Sequence, residues 1–382
     1  MLFSEEKDSV QEKLSYPKGL WRDQLIGQDQ LLIQISIILE AKQFPHCSIV
    51  SGLAGNEQLL VGLHIAQSLL CISEDKPCGV CSGCYKSNKL IHPDLHFSFP
   101  VVGAAEEAVN HYEQFREAVQ KNPYLNVQDW LVNSENENKQ ANISVKEARS
   151  IVDRLYFKPF EANCTVLILW LPEYLGKESN ILLKLLEEPP GNAFIIMVTE
   201  DINSILSTVK SRAQEFRLKP VTEELLSEFL IKTKGINKSK AKEFAIASEG
   251  NISSCLNWLE EENVKFLELI RQMFQKAYLQ DPQGYLEWIE QVAELKKDEQ
   301  KQLFSFLTSI LSLCIRAKAD SLEHTADVEI WNYATKISSK LSIEAIENIA
   351  DLADDCSFGI QRNANLRILL LDYLIKLSTF IR

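Results

Sequence analysis

No run of about 18 apolar residues free of charge occurs in this 382-residue chain, which excludes an ordinary membrane-spanning helix. The opening Met1-Leu2-Phe3-Ser4-Glu5-Glu6-Lys7 lacks the basic-then-apolar pattern of a secretory signal. The expectation is therefore a soluble, cytoplasmic protein with no membrane partner. Basic charge is short as well: 40 Lys and Arg against 53 Asp and Glu leave a formal net charge of −13. A protein that coats nucleic acid needs the opposite balance, because non-specific affinity comes from neutralising phosphates. Contact with DNA must then be local or shared with partners. Nine cysteines are too few for a disulfide scaffold in a chain this long, and no internal repeat is evident.

What is present is apolar residue in quantity, 46% of the chain, enough for two or three compact domains with separate cores. The N-terminal half alternates short apolar runs with helical patterns, the mark of a parallel sheet covered by helices. Strands are predicted at Ser48 to Ser51, Thr165 to Leu171 and Phe194 to Thr199, and a helix at Ser179 to Glu188, stopped by Pro189-Pro190-Gly191. After Pro220 the pattern is all helical, with breaks predicted at Gly235, Gly250, Pro282 and Gly359. The last helix spaces Leu366, Leu370, Tyr373, Leu374 and Leu377 along one face, which suits a core and, alternatively, a subunit contact. Residues 103 to 142, acidic and rich in Asn and Gln near Asn133 to Asn138, read as a partly ordered insertion with one helix at His111 to Gln120.

The strongest chemical signal is Cys71, Cys78, Cys81 and Cys84, spaced C-x6-C-x2-C-x2-C with Gly79 and Gly83 between them. Tetrahedral zinc needs four converging soft ligands, and four thiolates close its shell, so the site is structural and not catalytic. The alternative is free or redox-active thiols, although four sulfurs exceed what a redox pair requires. Cys47, Cys164, Cys255, Cys314 and Cys356 are read as small buried hydrophobes.

Behind the first strand comes Gly52-Leu53-Ala54-Gly55-Asn56-Glu57-Gln58-Leu59, in the strand-turn-helix context of a phosphate-binding loop. Against G-x-x-x-x-G-K-[ST], Glu57 stands for the second glycine, Gln58 for the lysine and Leu59 for the hydroxyl that holds magnesium. The cation on the phosphates and one metal ligand are lost, and Glu57 adds a negative charge where a polyphosphate would lie. No ATP is expected to bind. A plain glycine turn is the alternative. The strand that should end in Asp-Glu instead runs through Trp170 into Pro172-Glu173, leaving Glu173 as the one nearby acid.

Ile26-Gly27-Gln28, the cysteine cluster, His92-Pro93-Asp94-Leu95, Asn180, Leu182-Leu183-Lys184, Leu186-Glu187-Glu188-Pro189-Pro190 and Ser211-Arg212 together resemble the bacterial clamp-loader subunits of DNA polymerase III, over residues 20 to 260. The resemblance implies an α/β AAA+ domain over 1–218 carrying the zinc module (71–84) and the insertion (103–142), a helical lid over 219–263 and an all-α collar over 264–382. It implies gamma/tau and delta subunits as partners, and the sliding clamp and primed DNA through the assembly. The lost lysine favours the ATP-silent kind of member over the ATP-binding gamma/tau kind, with no activity from the isolated chain. The family's Ser-Arg-Cys motif falls on Ser211-Arg212-Ala213, so Arg212 is the candidate for an arginine finger acting in trans on a neighbour's ATP. An ordinary exposed arginine beside Lys210 and Arg217 is the alternative. Ser253, in Gly250-Asn251-Ile252-Ser253, replaces the family's nucleotide-sensing arginine. Rival readings are a gamma/tau or delta subunit, or a zinc-bearing DNA-binding module, for which Lys232-Thr233-Lys234 and Lys238 to Lys242 offer small basic groups.

Overall fold

The computed structural model describes residues 21–103, 106–132, 141–248, 250–259, 262–319, 329–362 and 364–381. The polar run at Asn133 to Asn138 and the opening residues lie outside them. Contacts divide the chain into two compact units, one through Pro220 and one from Val221.

The first unit begins with α1 (Asp29–Glu40), β1 (Cys47–Ser51) and α2 (Gln58–Leu70). A short α3 (Ser82–Asn88), β2 (Leu95–Ser98), β3 (Val101–Val102), α4 (Tyr112–Lys121) and α5 (Val127–Val132) follow. It continues through β4 (Ala141–Asn142), α6 (Val145–Tyr156), β5 (Thr165–Trp170), α7 (Leu183–Glu187), β6 (Ala193–Thr199), α8 (Ser207–Lys210) and β7 (Gln214–Arg217). Five strands form one sheet in the order β2-β5-β6-β1-β7, each neighbouring pair parallel. All residues of β1 and β5 are buried, Ser48 and Ser51 of β1 included, and β5 reads as a nearly continuous apolar run, as expected where helices cover both sheet faces. The chain leaves β1 for the far edge at β2 and returns later to β6 and β7 on its two sides. The loop after β1 therefore stands at the point where the strand order reverses, the usual ligand position in open parallel sheets.

The three predicted strands are present, and the sheet adds β2 and β7 at its edges. The predicted helix at Ser179 to Glu188 is helical through Glu187 but not α-helical throughout. A 3-10 run over Pro172–Leu182 breaks at Gly176 (φ 52°), and only Leu183–Glu187 is α-helical. The segment read as a partly ordered insertion contributes core. Phe115 and Trp130 are buried with Phe99, whose ring stacks on Phe115 at 4.1 Å, and β3 pairs with β4 antiparallel.

The second unit is helical: α9 (Glu223–Lys234), α10 (Lys238–Ala247), α11 (Ile252–Trp258), α12 (Glu262–Leu279), α13 (Pro282–Ala293), α14 (Lys297–Ala319), α15 (Glu329–Ser338), α16 (Ile343–Gln361) and α17 (Leu366–Phe380). Gly235 caps α9 in the left-handed region at φ 65°, and Pro282 occupies the first turn of α13, as predicted. Gly359 does not break a helix. It lies within α16, where a Cβ would stand 2.8 Å from Leu369, so this glycine serves the close approach of α17. Trp288 anchors the core, fully buried with its indole N–H donated to the Leu269 carbonyl at 2.8 Å. On α17, Leu370, Tyr373, Leu374 and Leu377 are buried, while Ile368, Leu371 and Ile375 form a second, exposed apolar row. No described helix is long and apolar enough to cross a membrane.

Candidate functional site

Helix α2 organises the first unit from both ends. Its C-cap is Cys71, and the chain then turns through Cys78 to Cys81, the N-cap of α3, which carries Cys84. The turn is tight: a Cβ at Gly83 would meet the Leu70 carbonyl at 2.4 Å, so only glycine lets α3 approach the end of α2. The four sulfurs lie within 4.8 Å of one another, with Cys71–Cys81 at 3.8 Å and Cys78–Cys84 at 3.9 Å. None is disulfide-bonded, since a bond would need about 2 Å. A tetrahedron with metal–sulfur bonds of about 2.3 Å has edges of about 3.8 Å. Backbone N–H groups of Cys78, Cys81 and Cys84 point at the sulfurs of Cys71, Cys78 and Cys81 at 3.3 to 3.4 Å, the polarity that stabilises thiolates. Without a metal, the hydrogen bond with Cys84 draws Cys71 down to about 5 and pushes Cys84 up. This cluster of four thiols can hold a metal ion, and four protein ligands leave no open position.

At the other end of α2, the turn at Gly52 to Glu57 is closed by its own side chains. Glu57 is fully buried. Its carboxyl accepts hydrogen bonds from the Ile26 backbone N–H and from the Gln28 side-chain amide, the latter at 2.9 Å. Gln28 in turn spans to the backbone of Lys219. Burial pushes the Glu57 carboxyl up to about 8 despite these two donors. The expectation of a bare negative charge on the loop is thus revised: Glu57 is turned inward and ties the segment at Ile26 to Gln28 to the start of α2. Gln58 is also buried and folds against Gly52, whose Cβ position lies 3.0 Å from the amide oxygen. Leu59 joins the core.

The end of β5 is equally occupied. Trp170 packs against Phe115 at 5.6 Å between ring centres, so the position expected to hold an acid has become part of an aromatic core. Leu171 adopts the left-handed region at φ 59° and turns the chain into Pro172. Glu173 then accepts from the Thr199 hydroxyl at 2.9 Å and the Glu200 backbone N–H at 3.2 Å. Burial raises its pKa, and its partners are the end of β6. In the second unit Ser253 is completely buried.

Arg212 is different in kind. It lies just past α8, one-third exposed, with Nε donating to Glu187 Oε1 at 2.7 Å and Nη2 donating to the same oxygen. Nη1 donates to the Thr208 carbonyl at 2.7 Å and reaches the Ser211 hydroxyl at 3.4 Å. The structure therefore joins two motifs that sequence reasoning had named separately, the Leu186-to-Pro190 run and Ser211-Arg212. A second pairing was missed. Asp94 of His92-Pro93-Asp94 accepts from the backbone N–H groups of Phe160, Glu161 and Ala162 at 2.5 to 2.8 Å. Burial opposes its charge, but those three donors hold its pKa below the usual range. The motif fastens the loop that leads into β5. Its signal was a carboxylate in a short motif with no assigned task.

The first unit is thus a parallel α/β domain whose strand-turn-helix loop after β1 is closed by its own side chains, with a four-cysteine cluster at the far end of the same helix. The family model for DNA polymerase III, delta subunit, matches residues 27–222, just over half of the chain and nearly the span of the first unit. The chain belongs to that family and is a member of the DNA polymerase III clamp-loader group. Among curated relatives, the DNA polymerase III subunit gamma of Buchnera aphidicola (Acyrthosiphon pisum) is 27% identical over 253 residues, covering 63% of this chain and 59% of that protein. The chain thus spans less than two thirds of the gamma relative. The subunit delta' of Haemophilus influenzae is 24% identical over 338 residues, covering 86% of this chain and 88% of that one. A gamma subunit-related protein of Thermotoga maritima aligns in structure with a TM-score of 0.41 at 15% identity, covering 93% of this chain and all of that one.

Proposed function

We propose that this chain is a non-ATPase, delta-prime-type subunit of a cytoplasmic clamp loader, contributing to ATP-dependent loading of a sliding clamp onto primed DNA. The observation that carries the reading is the contrast between a loop closed by Glu57, Gln58 and Leu59 and a cation, Arg212, left at the surface. The first unit serves as the AAA+ module (1–218). Residues 219–263 serve as lid and 264–382 as collar, where the exposed row Ile368, Leu371 and Ile375 offers an apolar strip to gamma/tau or delta subunits. Zinc is the metal proposed for Cys71, Cys78, Cys81 and Cys84, because four thiolates at tetrahedral spacing match its preference. Its contribution there is to staple the fold.

In the proposed mechanism Arg212, with Ser211 beside it, reaches the γ-phosphate held by an adjacent gamma/tau subunit. A guanidinium supplied in trans stabilises the charge that spreads over the phosphoryl oxygens in the transition state, and water is excluded as the two surfaces meet. Polymerase (nucleotidyltransferase) activity belongs to the larger holoenzyme and not to this chain.

The test is ATP binding and turnover by the chain alone, then by the chain reconstituted with the gamma/tau and delta subunits of its own genome. The chain alone is expected to be silent and the mixture active. Arg212→Ala in an assembled complex is expected to lower turnover at the adjoining site by on the order of a thousandfold, with Arg212→Lys close behind because lysine lacks the planar fork. Tight nucleotide binding by the chain alone would instead favour a gamma/tau type. Strong, salt-sensitive DNA retention by the chain alone would favour a DNA-binding module.

A further inference from the structure

We propose that Glu187 is a positioning residue for Arg212: it clamps one edge of the guanidinium so that the other faces outward to a phosphate on a neighbouring subunit. The inference rests on the reading of Arg212 as a trans-acting group. Its basis is the donor inventory. A guanidinium carries five N–H donors in a rigid plane. Nε and Nη2 both converge on Glu187 Oε1, which occupies the side edge of the plane, and Nη1 is held from behind by the Thr208 carbonyl at 2.7 Å. Nη1 also donates to the Ser211 hydroxyl, at 3.4 Å the longest of the four contacts. The second donor of Nη2 takes part in none of these bonds, and an arriving phosphate can meet it while exchanging with the long Nη1–Ser211 contact.

Both anchors are set by backbone features already described. Glu187 ends α7, directly before the Glu188-Pro189-Pro190 stop, and Thr208 lies in α8, four residues before Arg212. The carboxylate therefore comes from one short element and the carbonyl from another. Orienting the plane before the neighbour arrives removes two soft torsions from the association step, and misplacing a reacting group by an ångström can lower a rate by about a hundredfold. The pair is half-exposed on the Glu187 side, so it stabilises the free chain little. Its expected effect falls on turnover, not on folding.

The experiment is a double-mutant cycle in the reconstituted complex, with Glu187→Ala, Glu187→Gln, Arg212→Ala and Glu187→Ala/Arg212→Ala. Steady-state kcat and KM for ATP are measured beside assembly by analytical ultracentrifugation. The expected result is a fall in kcat of about tenfold or more for Glu187→Ala, with KM and assembly unchanged. Glu187→Gln, which keeps an acceptor oxygen but loses the charge, should fall between Glu187→Ala and the wild type. The double variant should match Arg212→Ala, because Glu187 acts only through Arg212. Normal turnover in Arg212→Ala would sink the finger reading and this inference with it. A defective Arg212→Ala beside a normal or faster Glu187→Ala would leave the finger standing and overturn the positioning role. Additive losses in the double variant, or loss of assembly, would also overturn it, since they would give Glu187 a task independent of Arg212.

Discussion

The turn after β1 and the rim after α8 present opposite treatments of polar side chains. At the turn, Glu57 and Gln58 are buried, and the Glu57 carboxyl accepts from the Ile26 backbone N–H and the Gln28 side-chain amide. At the rim, Arg212 and Glu187 remain partly in water, and the guanidinium's contact to the Ser211 hydroxyl is long, at 3.4 Å. A carboxylate is the central partner in both places, so residue type does not separate them; burial does. A closed polar pair rigidifies its surroundings, while an open one can exchange partners. The lesson is that one sheet can close the turn after β1 by internal hydrogen bonding and still leave a cation partly in water at its rim.

The most severe way to break the comparison is to loosen α2, which joins the closed turn to the cysteine cluster. Cys78→Ser or Cys84→Ser, or chelation of the wild type, is expected to release one metal ion per chain and to destabilise the first unit by several kcal/mol, since a metal that binds only the folded state adds its binding energy to folding. Amide exchange across Gln58 to Leu70 should rise well before that of the second unit. Metal analysis by mass spectrometry together with thermal unfolding checks it. An unchanged melting temperature in a metal-free chain would remove the structural role.

A milder effect is expected at Glu57. The folded chain holds its proton up to about pH 8, whereas the unfolded chain releases it near 4.5. The folded state therefore binds more protons across that window. The contribution is complete below about 4.5 and is lost as pH rises through about 8, at up to about 1.4 kcal/mol per pH unit for one proton. Glu57→Gln cannot titrate, so its urea midpoint should depend less on pH between 5 and 8 than that of the wild type. The variant should also be weaker at low pH, because its amide directs an N–H at the Gln28 amide already fixed by Lys219. Parallel pH profiles for the two proteins would mean that Glu57 stays ionised in the fold.

These pairings also mark what could be read from residues alone. Two central strands were legible because β5 and β6 are covered on both faces and so read as short, nearly continuous apolar runs. The edge strands were not: Leu95-His96-Phe97-Ser98 and Gln214-Glu215-Phe216-Arg217 are four residues each with polar positions interleaved, and only pairing to β5 and β1 makes them strands. The helix predicted at Ser179 to Glu188 is present to Glu187, but periodicity did not show that it opens as a 3-10 turn through Leu182 before Leu183–Glu187 becomes α-helical. The cysteine spacing was legible, since short x2 steps with glycines constrain the loop locally. The attachments of Glu57 to Ile26 and of Arg212 to Glu187 were not, because they join segments 31 and 25 residues apart and depend on how the sheet brings loops together.

The smallest expected effect sharpens the comparison most. The Arg212–Glu187 pair is short but exposed, with side chains 32% and 50% accessible, and such pairs contribute about 0–1 kcal/mol once solvent screening and side-chain ordering are counted. Arg212→Ala is therefore expected to leave the urea midpoint of the isolated chain within that margin and to show almost no salt dependence beyond the wild type's. Glu57→Ala, removing a buried acceptor from two donors, should lower the midpoint clearly. If Arg212→Ala proved as damaging to folding as Glu57→Ala, the rim would be another piece of internal scaffolding. The separation between a closed site and an open one would then fail at its surface end.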